Sequence, residues 1–433
     1  MKKELGFKEL LAIAIGGMVG GGIFTILGIA AGMVGFLAPF AIALGGVLAG
    51  FASYAYVKLG LYYKDEGGTY SFFKRTFTSH LGGSIIGWFT IFGYISTLAI
   101  YSYTFSSYAI SGFSFGDSEL IRKIVAVGIL GIFMLINLWS VKGMGEIEDI
   151  MVYAKLLILT IISFALILFA KTDFNQFVLN MQKDFHSTSF LSVLIVSSVT
   201  FVAYEGFELV VNAVNEMKDP DKNIPRAIYW AVGIVSLIYF IVALSAVFSI
   251  SLEDLIKYKE SALATGAYSV MGEIGRDFVI FGAILATSSA INSTLFGASR
   301  QMAKVAQDGY LPKFLSKKVN SIPKNAVIAM AFFASFLIFL GGLRLIVEFG
   351  SITFILVSLL IAFANLKIYK QTNSSFLVTL LSIIGLGGGA ILILYYEYQT
   401  KLQQLIIIAI LYLLLSLGAW GYSKIKEASL KLK

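Results

Sequence analysis

Long apolar runs are the feature that most restricts the fold of this 433-residue chain. A helix needs about 20 consecutive apolar residues to cross the hydrocarbon core of a bilayer, and such runs recur from one end of the sequence to the other. Charged residues make up 13% of the chain, roughly half of the ~25% typical of soluble domains. The sequence therefore predicts an all-α polytopic membrane protein. A soluble enzyme, a secreted disulfide scaffold and a nucleic-acid-binding protein are excluded.

Twelve apolar segments can be marked along the chain, each long enough for a transmembrane helix. Their ranges are 8–33, 37–61, 82–112, 121–140, 148–170, 188–214, 226–250, 276–306, 324–342, 345–368, 375–396 and 402–422. We expect them to form one transmembrane domain over residues 1–423, followed by a short basic tail at 424–433.

The distribution of Lys and Arg predicts the orientation. Of the 33 such residues, 23 lie on the side of the two termini, nine lie in the opposite loops, and Lys155 is left inside the membrane. Acidic residues divide about evenly, so the bias belongs to Lys and Arg alone, as the positive-inside rule requires. The sequence predicts a multi-pass protein of the cell membrane with both termini in the cytoplasm.

Several function classes are disfavoured by residues that the sequence lacks. There is no cysteine and there are only two histidines, so a membrane enzyme has little with which to build a nucleophilic or metal centre, and we expect no metal and no cofactor. No Gly-x-x-x-x-Gly-Lys loop for ATP is present, which disfavours a primary pump. A sensor is disfavoured because no soluble signalling domain is found, and a channel because no ring of filter residues is found.

The first unusual pattern is the glycine cluster of segment one, formed by Gly16, Gly17, Gly20, Gly21 and Gly22. Gly16 and Gly20 are four residues apart, which suits a small-residue packing face, and that interpretation stays open for this pair. Three consecutive glycines point to different sides of a helix and each weakens it by about 1 kcal/mol. The pattern therefore predicts local unwinding at Gly20–Gly22.

The second unusual pattern is the sequence FVAYEGFE at 201–208, which puts Glu205 and Glu208 inside the sixth apolar segment. A charged group at mid-membrane is costly and marks a functional candidate. Because segment six stands five spans after segment one, the two interrupted helices occupy corresponding positions in two oppositely oriented halves. Such a pair indicates a transporter with an inverted repeat and a binding site near the midplane.

The chain resembles the amino acid–polyamine–organocation transporters. The resemblance rests on ELLAIAIGGMVGGGIF at 9–24, FVAYEGFE with the following NEMKDPDKNIPR at 215–226, and NSTLFGASR with DGYLP at 292–300 and 308–312. It implies the leucine-transporter-like fold, in which helices 1–5 (about 8–170) and 6–10 (about 188–368) form a five-plus-five inverted repeat with helices 1 and 6 broken. Two extra C-terminal helices, about 375–422, would follow.

The resemblance also implies where an amino acid would bind. The substrate carboxylate would be held by Gly20, Gly21 and Gly22, where N–H groups and the positive end of a half-helix converge. Many relatives carry Ser or Thr at the middle position, so Gly21 lacks a hydroxyl donor. The ammonium would meet carbonyl groups at the two breaks, and two aromatic residues are candidate gates, with ordinary packing as the alternative. These positions are Met18, Val202, Ala203 and Glu205 for the carbonyls and Phe201 and Phe207 for the gates.

Lys155 is the most informative single residue. It stands seven residues into the fifth segment, about 10 Å deep at the rise of a helix, where a lysine can snorkel to the interface. The resemblance implies another role, because a lysine on the fifth helix replaces a sodium ion in some relatives. Burial disfavours the charged amine, so such a lysine can exchange a proton. Ser288 or Ser289 would be its hydroxyl partner.

The two carboxylates and the cytoplasmic loops keep several interpretations. Glu205 is a candidate for relaying a proton, attracting a cationic substrate or tying the unwound strand, and Glu208 for capping the second half-helix. The stretch 64–75 has the composition of an interfacial amphipathic helix, and the loops at 215–226 and 300–324 are either an inner gate or merely solvated.

These features predict a secondary active transporter that takes up a neutral amino acid with protons, without sodium, by alternating access. The neutral substrate is favoured because the third helix offers no acid. An amino acid or polyamine exchanger of the same fold is the alternative. The expected partners are an amino acid as small-molecule substrate, protons and the lipid bilayer, with no nucleic acid.

Overall fold

The computed structural model describes the chain almost continuously. It covers residues 5–113, 116, 118–139, 141–170, 172–258, 261–340 and 342–431, apart from the side chains of 141–146 and 429–431. Five of the lysines that were counted to predict the membrane orientation lie outside the described residues, namely Lys2, Lys3, Lys171, Lys259 and Lys433.

The described residues are overwhelmingly helical and contain no β-strand. The helices are α1 (Phe7–Met18), α2 (Gly21–Val34), α3 (Ala38–Tyr63), α4 (Gly68–Phe77), α5 (His80–Ile110), α6 (Glu119–Trp139), α7 (Val141–Phe169), α8 (Phe174–Ser187), α9 (Phe190–Val199), α10 (Leu209–Asn212), α11 (Pro220–Ser249), α12 (Leu252–Tyr258), α13 (Ala262–Gln307), α14 (Lys324–Leu340), α15 (Leu343–Lys367), α16 (Phe376–Thr400) and α17 (Leu402–Lys431).

Nine helical stretches within the described residues are long and apolar enough to cross a membrane, and α14 is a shorter apolar helix. The stretch Gly21–Tyr63 has 43 residues, about twice what one crossing needs. The chain turns within it at Gly35, where φ is +58°. The predicted all-helical, multi-pass membrane fold is confirmed at this level.

Helix ends follow local signals in the sequence. The hydroxyl of Ser79 accepts the N–H of Gly82 at 3.0 Å at the start of α5, and Ser375 does the same for Val378 at 3.4 Å at the start of α16. Such caps satisfy N–H groups that have no partner within the helix. Pro220 opens α11, where its missing N–H costs nothing.

Burial separates a central group of helices from a peripheral one. The most apolar part of α15 is 83% buried and that of α5 is 78% buried, whereas those of α16 and α17 are 33% and 17% buried. The last two helices therefore pack on the outside of the bundle. The helix α17 continues through Lys431, so the predicted tail at 424–433 prolongs that helix over its described part.

Besides the short helix α12, two further helical stretches were not expected from the apolar segments. Helix α8 is amphipathic, begins after Asp173, which caps it through Gln176 N at 3.3 Å, and buries Phe177. The first part of α13 precedes the predicted segment 276–306 and is set off by Gly272, where φ is +71°. Both lie in loops whose polar residues interrupt the apolar runs.

Candidate functional site

The first apolar segment is interrupted, as the glycine cluster predicts, but slightly earlier than expected. Helix α1 ends at Met18 and α2 begins at Gly21. The unwound residues are thus Val19 and Gly20, while Gly21 and Gly22 form the first turn of α2. Their N–H groups belong to a helix N-terminus, where the first donors have no partner within the helix.

The three consecutive glycines each face a different neighbour. A Cβ on Gly20 would collide with Ala290 of α13, one on Gly21 would lie 2.7 Å from Thr104 Oγ1 of α5, and one on Gly22 would lie 2.9 Å from Ala203 Cα. Side chains are therefore excluded at all three positions, and no single packing face accounts for them.

The sixth apolar segment is interrupted over a longer stretch than the first. Helix α9 ends at Val199, a 3₁₀ turn follows over Thr200–Tyr204, and Gly206 has φ of +129°. The second half-helix begins directly after Glu208, at the position where the sequence predicts a capping residue. Helix α10 has only four residues, because the backbone continues in i to i+3 hydrogen bonds such as Val211 N to Glu208 O at 3.0 Å.

The two interruptions touch each other directly. A Cβ on Gly206 would lie 2.5 Å from Gly17 C and 2.6 Å from Met18 N. The hydroxyl of Tyr239 on α11 lies between the two interrupted segments, 2.6 Å from Met18 O and 3.1 Å from Ala203 O. The structure thus brings together the segments that contain the predicted substrate-binding residues.

Most carbonyl groups at this junction already accept hydrogen bonds. Besides those that Tyr239 reaches, Gly17 O accepts from the Tyr101 hydroxyl at 2.8 Å, and Val202 O accepts from Glu205 N at 3.3 Å. A carbonyl oxygen has two lone pairs, so Ala203 O keeps capacity for a second donor, whereas Met18 O already accepts a second one from Gly20 N at 3.0 Å. The sequence did not reveal Tyr239, since nothing distinguishes it among 22 tyrosines.

The carboxylates of the second interruption lie in the interior. Glu205 and Glu208 are each 2% exposed. Glu208 Oε2 accepts the N–H of Gly206 at 2.9 Å, so this side chain does bind the broken backbone. Glu208 Oε1 and both oxygens of Glu205 have no hydrogen-bond partner within the described residues. Unpaired buried acceptors of this kind are costly and favour protonation or contact with a cationic group.

The two candidate gating aromatics are fully buried. Phe201 and Phe207 each have 0% exposure, and Phe207 packs edge-on against Tyr56 with ring centroids 5.4 Å apart. Both the gating and the packing interpretation are compatible with these positions, so the gating role stays a prediction.

Lys155 lies at the other side of the first interruption and is completely buried. Its Nζ donates to Gly16 O at 3.1 Å, to Val19 O at 2.7 Å and to Ser289 Oγ at 2.8 Å. The three acceptors satisfy the three donors of an ammonium group. Snorkelling does not describe this geometry, because the side chain joins α7 to the end of α1 and to α13. The hydroxyl next to the amine is Ser289 rather than Ser288.

A carboxylate that the sequence analysis did not single out belongs to the same cluster. Glu148 of α7 is 1% exposed and accepts from Ser289 Oγ at 2.5 Å and from Asn292 Nδ2 at 2.9 Å. It stands at the edge of the fifth apolar segment, where an acidic residue looks like a loop residue. Its spacing of two helical turns from Lys155, on the same side of α7, is the signal that was available.

One end of the bundle is closed by contacts around the start of the chain. Leu5 forms an isolated β-bridge with Met217, in which Leu5 N donates to Glu216 O at 3.0 Å and Lys218 N donates to Leu5 O at 2.8 Å. Arg300 lies 3.9 Å from Glu216, so the two loops predicted as an inner gate do meet. Lys318 reaches Glu66 at 3.2 Å and reinforces the closure.

Helix α4, expected as an interfacial helix over 64–75, begins at Gly68 and instead packs into this end. Its Tyr70 hydroxyl and Lys74 Nζ bind Asp308 at 2.9 and 2.6 Å. Burial raises the pKa of the Asp308 carboxyl, but hydrogen bonds from Lys74 and Tyr70 and the charges of Lys74 and Lys304 outweigh it and hold that pKa below its usual value.

The chain is similar to known proteins over most of its length. A family model described as amino acid permease matches residues 5–417. The inner membrane transport protein YbaT of Escherichia coli (strain K12) is 31% identical over 398 residues, covering 88% of this chain and 89% of that protein.

Two other relatives come from Bacillus subtilis (strain 168). The branched-chain amino acid permease BcaP is 26% identical over 364 residues, covering 79% of this chain and 75% of that protein. The serine/threonine exchanger SteT is 25% identical over 318 residues, covering 72% and 70%. This chain therefore belongs to the amino acid permease family of the amino acid–polyamine–organocation superfamily, whose members are amino acid transporters.

Proposed function

We propose that the protein is a secondary active transporter that takes up a neutral amino acid together with protons, without sodium, by alternating access. The observation that carries the proposal is Lys155, whose Nζ bridges Gly16 O and Val19 O at the first interruption to Ser289 on α13. A buried amine in place of a metal ion supplies a positive charge that can be removed by deprotonation. No cofactor is needed, because the proton gradient is the driving force.

The proposed architecture has twelve spans with both termini in the cytoplasm of the cell. The stretch Gly21–Tyr63 holds parts of two spans, and α6 and α14 add one each to the other long stretches. The first ten spans would form the five-plus-five inverted repeat, with α1–α2 and α9–α10 as its interrupted helices. The peripheral position of α16 and α17 supports their place outside the repeat.

The amino acid would bind where the two interruptions touch. Its carboxylate would meet the N–H groups of Gly21 and Gly22 at the start of α2. Its ammonium would meet the remaining lone pair of Ala203 O and would compete for Met18 O with the N–H of Gly20, which lies 3.0 Å away. Side-chain room must come from small movements of neighbours, since the glycines are in close contact with Thr104 and Ala203.

Lys155 would couple the proton to the conformational change. As an ammonium it donates to Gly16 O of α1 and to Val19 O of the unwound residues, and so holds the end of α1 and the interruption against α7. As a neutral amine it has one donor fewer and no charge, so this restraint weakens. Release of α1 would open the end of the bundle that is closed at Leu5 and Glu216.

An exchanger is the alternative within the same fold. The unpaired, buried oxygens of Glu205 favour it, because a cationic substrate would satisfy them. The similarity to a serine/threonine exchanger shows that exchange occurs among relatives of this chain.

Flux measurements in liposomes separate the two functions. Purified protein is offered a panel of labelled amino acids under an inward proton gradient, an inward sodium gradient, or neither. The proposal predicts accumulation with protons and none with sodium alone. Uptake that requires an amino acid or amine preloaded in the lumen would establish the exchanger instead.

A further inference from the structure

Glu148 is a buried carboxylate that the proposed mechanism does not yet use. It precedes Lys155 by seven residues on α7, which places it about 10 Å nearer the beginning of that helix. Both of its oxygens accept hydrogen bonds, from Ser289 Oγ at 2.5 Å and from Asn292 Nδ2 at 2.9 Å. A buried carboxylate with specific donors on a neighbouring helix is a built site.

Its position is fixed from two further residues of α6. Asn137 Nδ2 donates to Asn292 Oδ1 at 3.0 Å and to Phe133 O at 3.0 Å. Because the Asn292 oxygen faces this donor, its amide nitrogen is left to face Glu148. Helices α6 and α13 thus hold the carboxylate in one orientation.

Ser289 connects the carboxylate to Lys155. Its hydroxyl oxygen accepts from Lys155 Nζ at 2.8 Å, and its hydroxyl proton points to Glu148 Oε1 at 2.5 Å. One proton can therefore pass from Ser289 Oγ to Glu148 while another passes from Lys155 Nζ to Ser289 Oγ. An ammonium and a carboxylate become an amine and a carboxylic acid, Ser289 is regenerated, and no net charge appears in the interior.

Helix α1 covers the carboxylate. Gly16 lies so close to Glu148 Oε1 and Ser293 Oγ that no side chain fits between them. The carbonyl of the same Gly16 accepts from Lys155 at 3.1 Å. Movement of α1 away from α7 would therefore uncover Glu148 and remove an acceptor from Lys155 in one step.

We propose that Glu148 is a second protonation site of the transport cycle, which takes the proton of Lys155 through Ser289 and releases it to the side where the chain begins when α1 moves away. The inference rests on the proposed proton-coupled function and adds the path by which the proton leaves.

Lys155 is the charged group that acts most directly on this carboxylate. Asp149 is next to it on α7 and lies near Glu9 of α1. Other charged residues of the described helices packed against α7 lie toward the ends of those helices, namely Lys8 on α1, Glu119, Arg122 and Lys123 on α6, Asp221, Lys222 and Arg226 on α11, and Glu273, Arg276, Asp277, Arg300 and Lys304 on α13.

The test uses full-length protein in liposomes with a pH-sensitive dye in the lumen. Tritiated L-leucine and L-serine are offered, and the one that wild type accumulates is followed. Glu148→Gln keeps the size of the side chain but removes the proton acceptor, so we expect a loss of proton-driven accumulation of about tenfold or more. Exchange between equal concentrations on both sides should be preserved in this variant and should not depend on lumenal pH. Asp149→Asn, the adjacent carboxylate, is the matched control and should behave as wild type.

Ser289→Ala tests the connection without removing either titratable group, with Ser163→Ala on α7 as the buried-serine control. We expect Ser289→Ala to slow proton-driven uptake while Ser163→Ala does not, and this pair carries the test if Glu148→Gln fails to fold. Wild-type accumulation and lumenal-pH dependence in Glu148→Gln, or in Ser289→Ala, would overturn the inference and leave the proposed function intact. Absence of proton-driven accumulation in wild type would overturn the proposed function and this inference with it.

Discussion

The two helix interruptions are in contact, yet they differ in whether their polar groups have hydrogen-bond partners. At the first, donors from α5, α7 and α11 reach the carbonyl groups of 16–19, with Lys155, Tyr101 and Tyr239 as their sources. At the second, three buried carboxylate oxygens of Glu205 and Glu208 have no donor within the described residues.

This difference indicates that the two interruptions have different roles. Fully satisfied backbone groups make the first interruption a stable joint, whose strength depends on the charge of one lysine. The unpaired acceptors of the second interruption make it the place where an added proton or a cationic group gains most. Substitutions that remove donors from the first or acceptors from the second test this contrast.

The largest effect is expected from Lys155→Ala. The substitution removes three hydrogen bonds and the titratable charge at the first interruption, so proton-driven accumulation should be abolished while equilibrium binding of the amino acid is largely kept. Uptake under a pH gradient measures the first property and scintillation proximity binding the second. Unchanged uptake would rule out a coupling role.

Folding of that variant needs its own control, because Glu148 is left without its cationic neighbour. Removing one partner of a buried charge pair costs about 3–5 kcal/mol. The double variant Lys155→Met with Glu148→Gln should recover the yield and thermal stability of wild type, without recovering proton-driven accumulation.

Gly21→Leu should abolish amino acid binding at the first interruption. A Cβ on this residue already lies 2.7 Å from Thr104 Oγ1, and a leucine side chain would fill the space in front of the N–H groups of α2. Binding of labelled amino acid is measured beside Gly131→Leu on α6, where nothing lies within 4 Å of a Cβ. Wild-type affinity in Gly21→Leu would show that the carboxylate site lies elsewhere.

Glu205→Gln tests the unpaired acceptors of the second interruption. For a neutral amino acid carried with protons, uptake should change by no more than about threefold, since Gln resembles the protonated acid in its hydrogen bonding. For a diamine or cationic amino acid, the loss of a charge partner should exceed about tenfold. Competition assays with both substrate classes distinguish these outcomes, and a selective loss of cationic substrates supports exchange.

Tyr239→Phe should have a moderate effect on both interruptions together. It removes the hydroxyl that reaches Met18 O and Ala203 O, at a cost of about 1–3 kcal/mol for buried acceptors left with fewer donors. We expect a lower melting temperature and weaker binding, and the adjacent Phe240→Leu serves as the control. A melting temperature equal to that of wild type would show that the two interruptions are held by other contacts.

The smallest effect is expected from acidification at the closed end of the bundle. The pKa of Asp308 is held low in the folded protein, so its contribution is present at neutral pH and is lost as pH falls through that lowered pKa. Melting temperature should therefore fall at low pH by a smaller amount in Asp308→Asn than in wild type. An equal fall in both would show that the contact of Asp308 with Lys74 does not stabilise this end.

The fold and the positions of both interruptions could be predicted because lipid leaves few choices. Spanning segments must be long and apolar, so their approximate positions follow from composition. The glycines and the two glutamates stand out against that background. The cut in the first helix still lies at Val19 and Gly20 rather than at Gly20–Gly22, since φ and ψ at a break depend on the contacts that fill it.

The partners of these residues could not be predicted in the same way. Tyr239, Tyr101 and Asn292 are ordinary residues in their own helices, and only tertiary packing aims them at the interruptions. Which of Ser288 and Ser289 faces Lys155 depends on the rotation of α13, and a step of one residue turns a helix by about 100°. Glu148 was missed because it stands where an apolar segment begins.

The most direct measurement follows substrate and protons together in one liposome preparation. Uptake of the accumulated amino acid and acidification of the lumen are recorded in wild type and in Lys155→Ala, with no sodium present. The account predicts that wild type acidifies the lumen in proportion to uptake and that Lys155→Ala exchanges amino acid without moving protons. Uptake by wild type with no change in lumenal pH would contradict it.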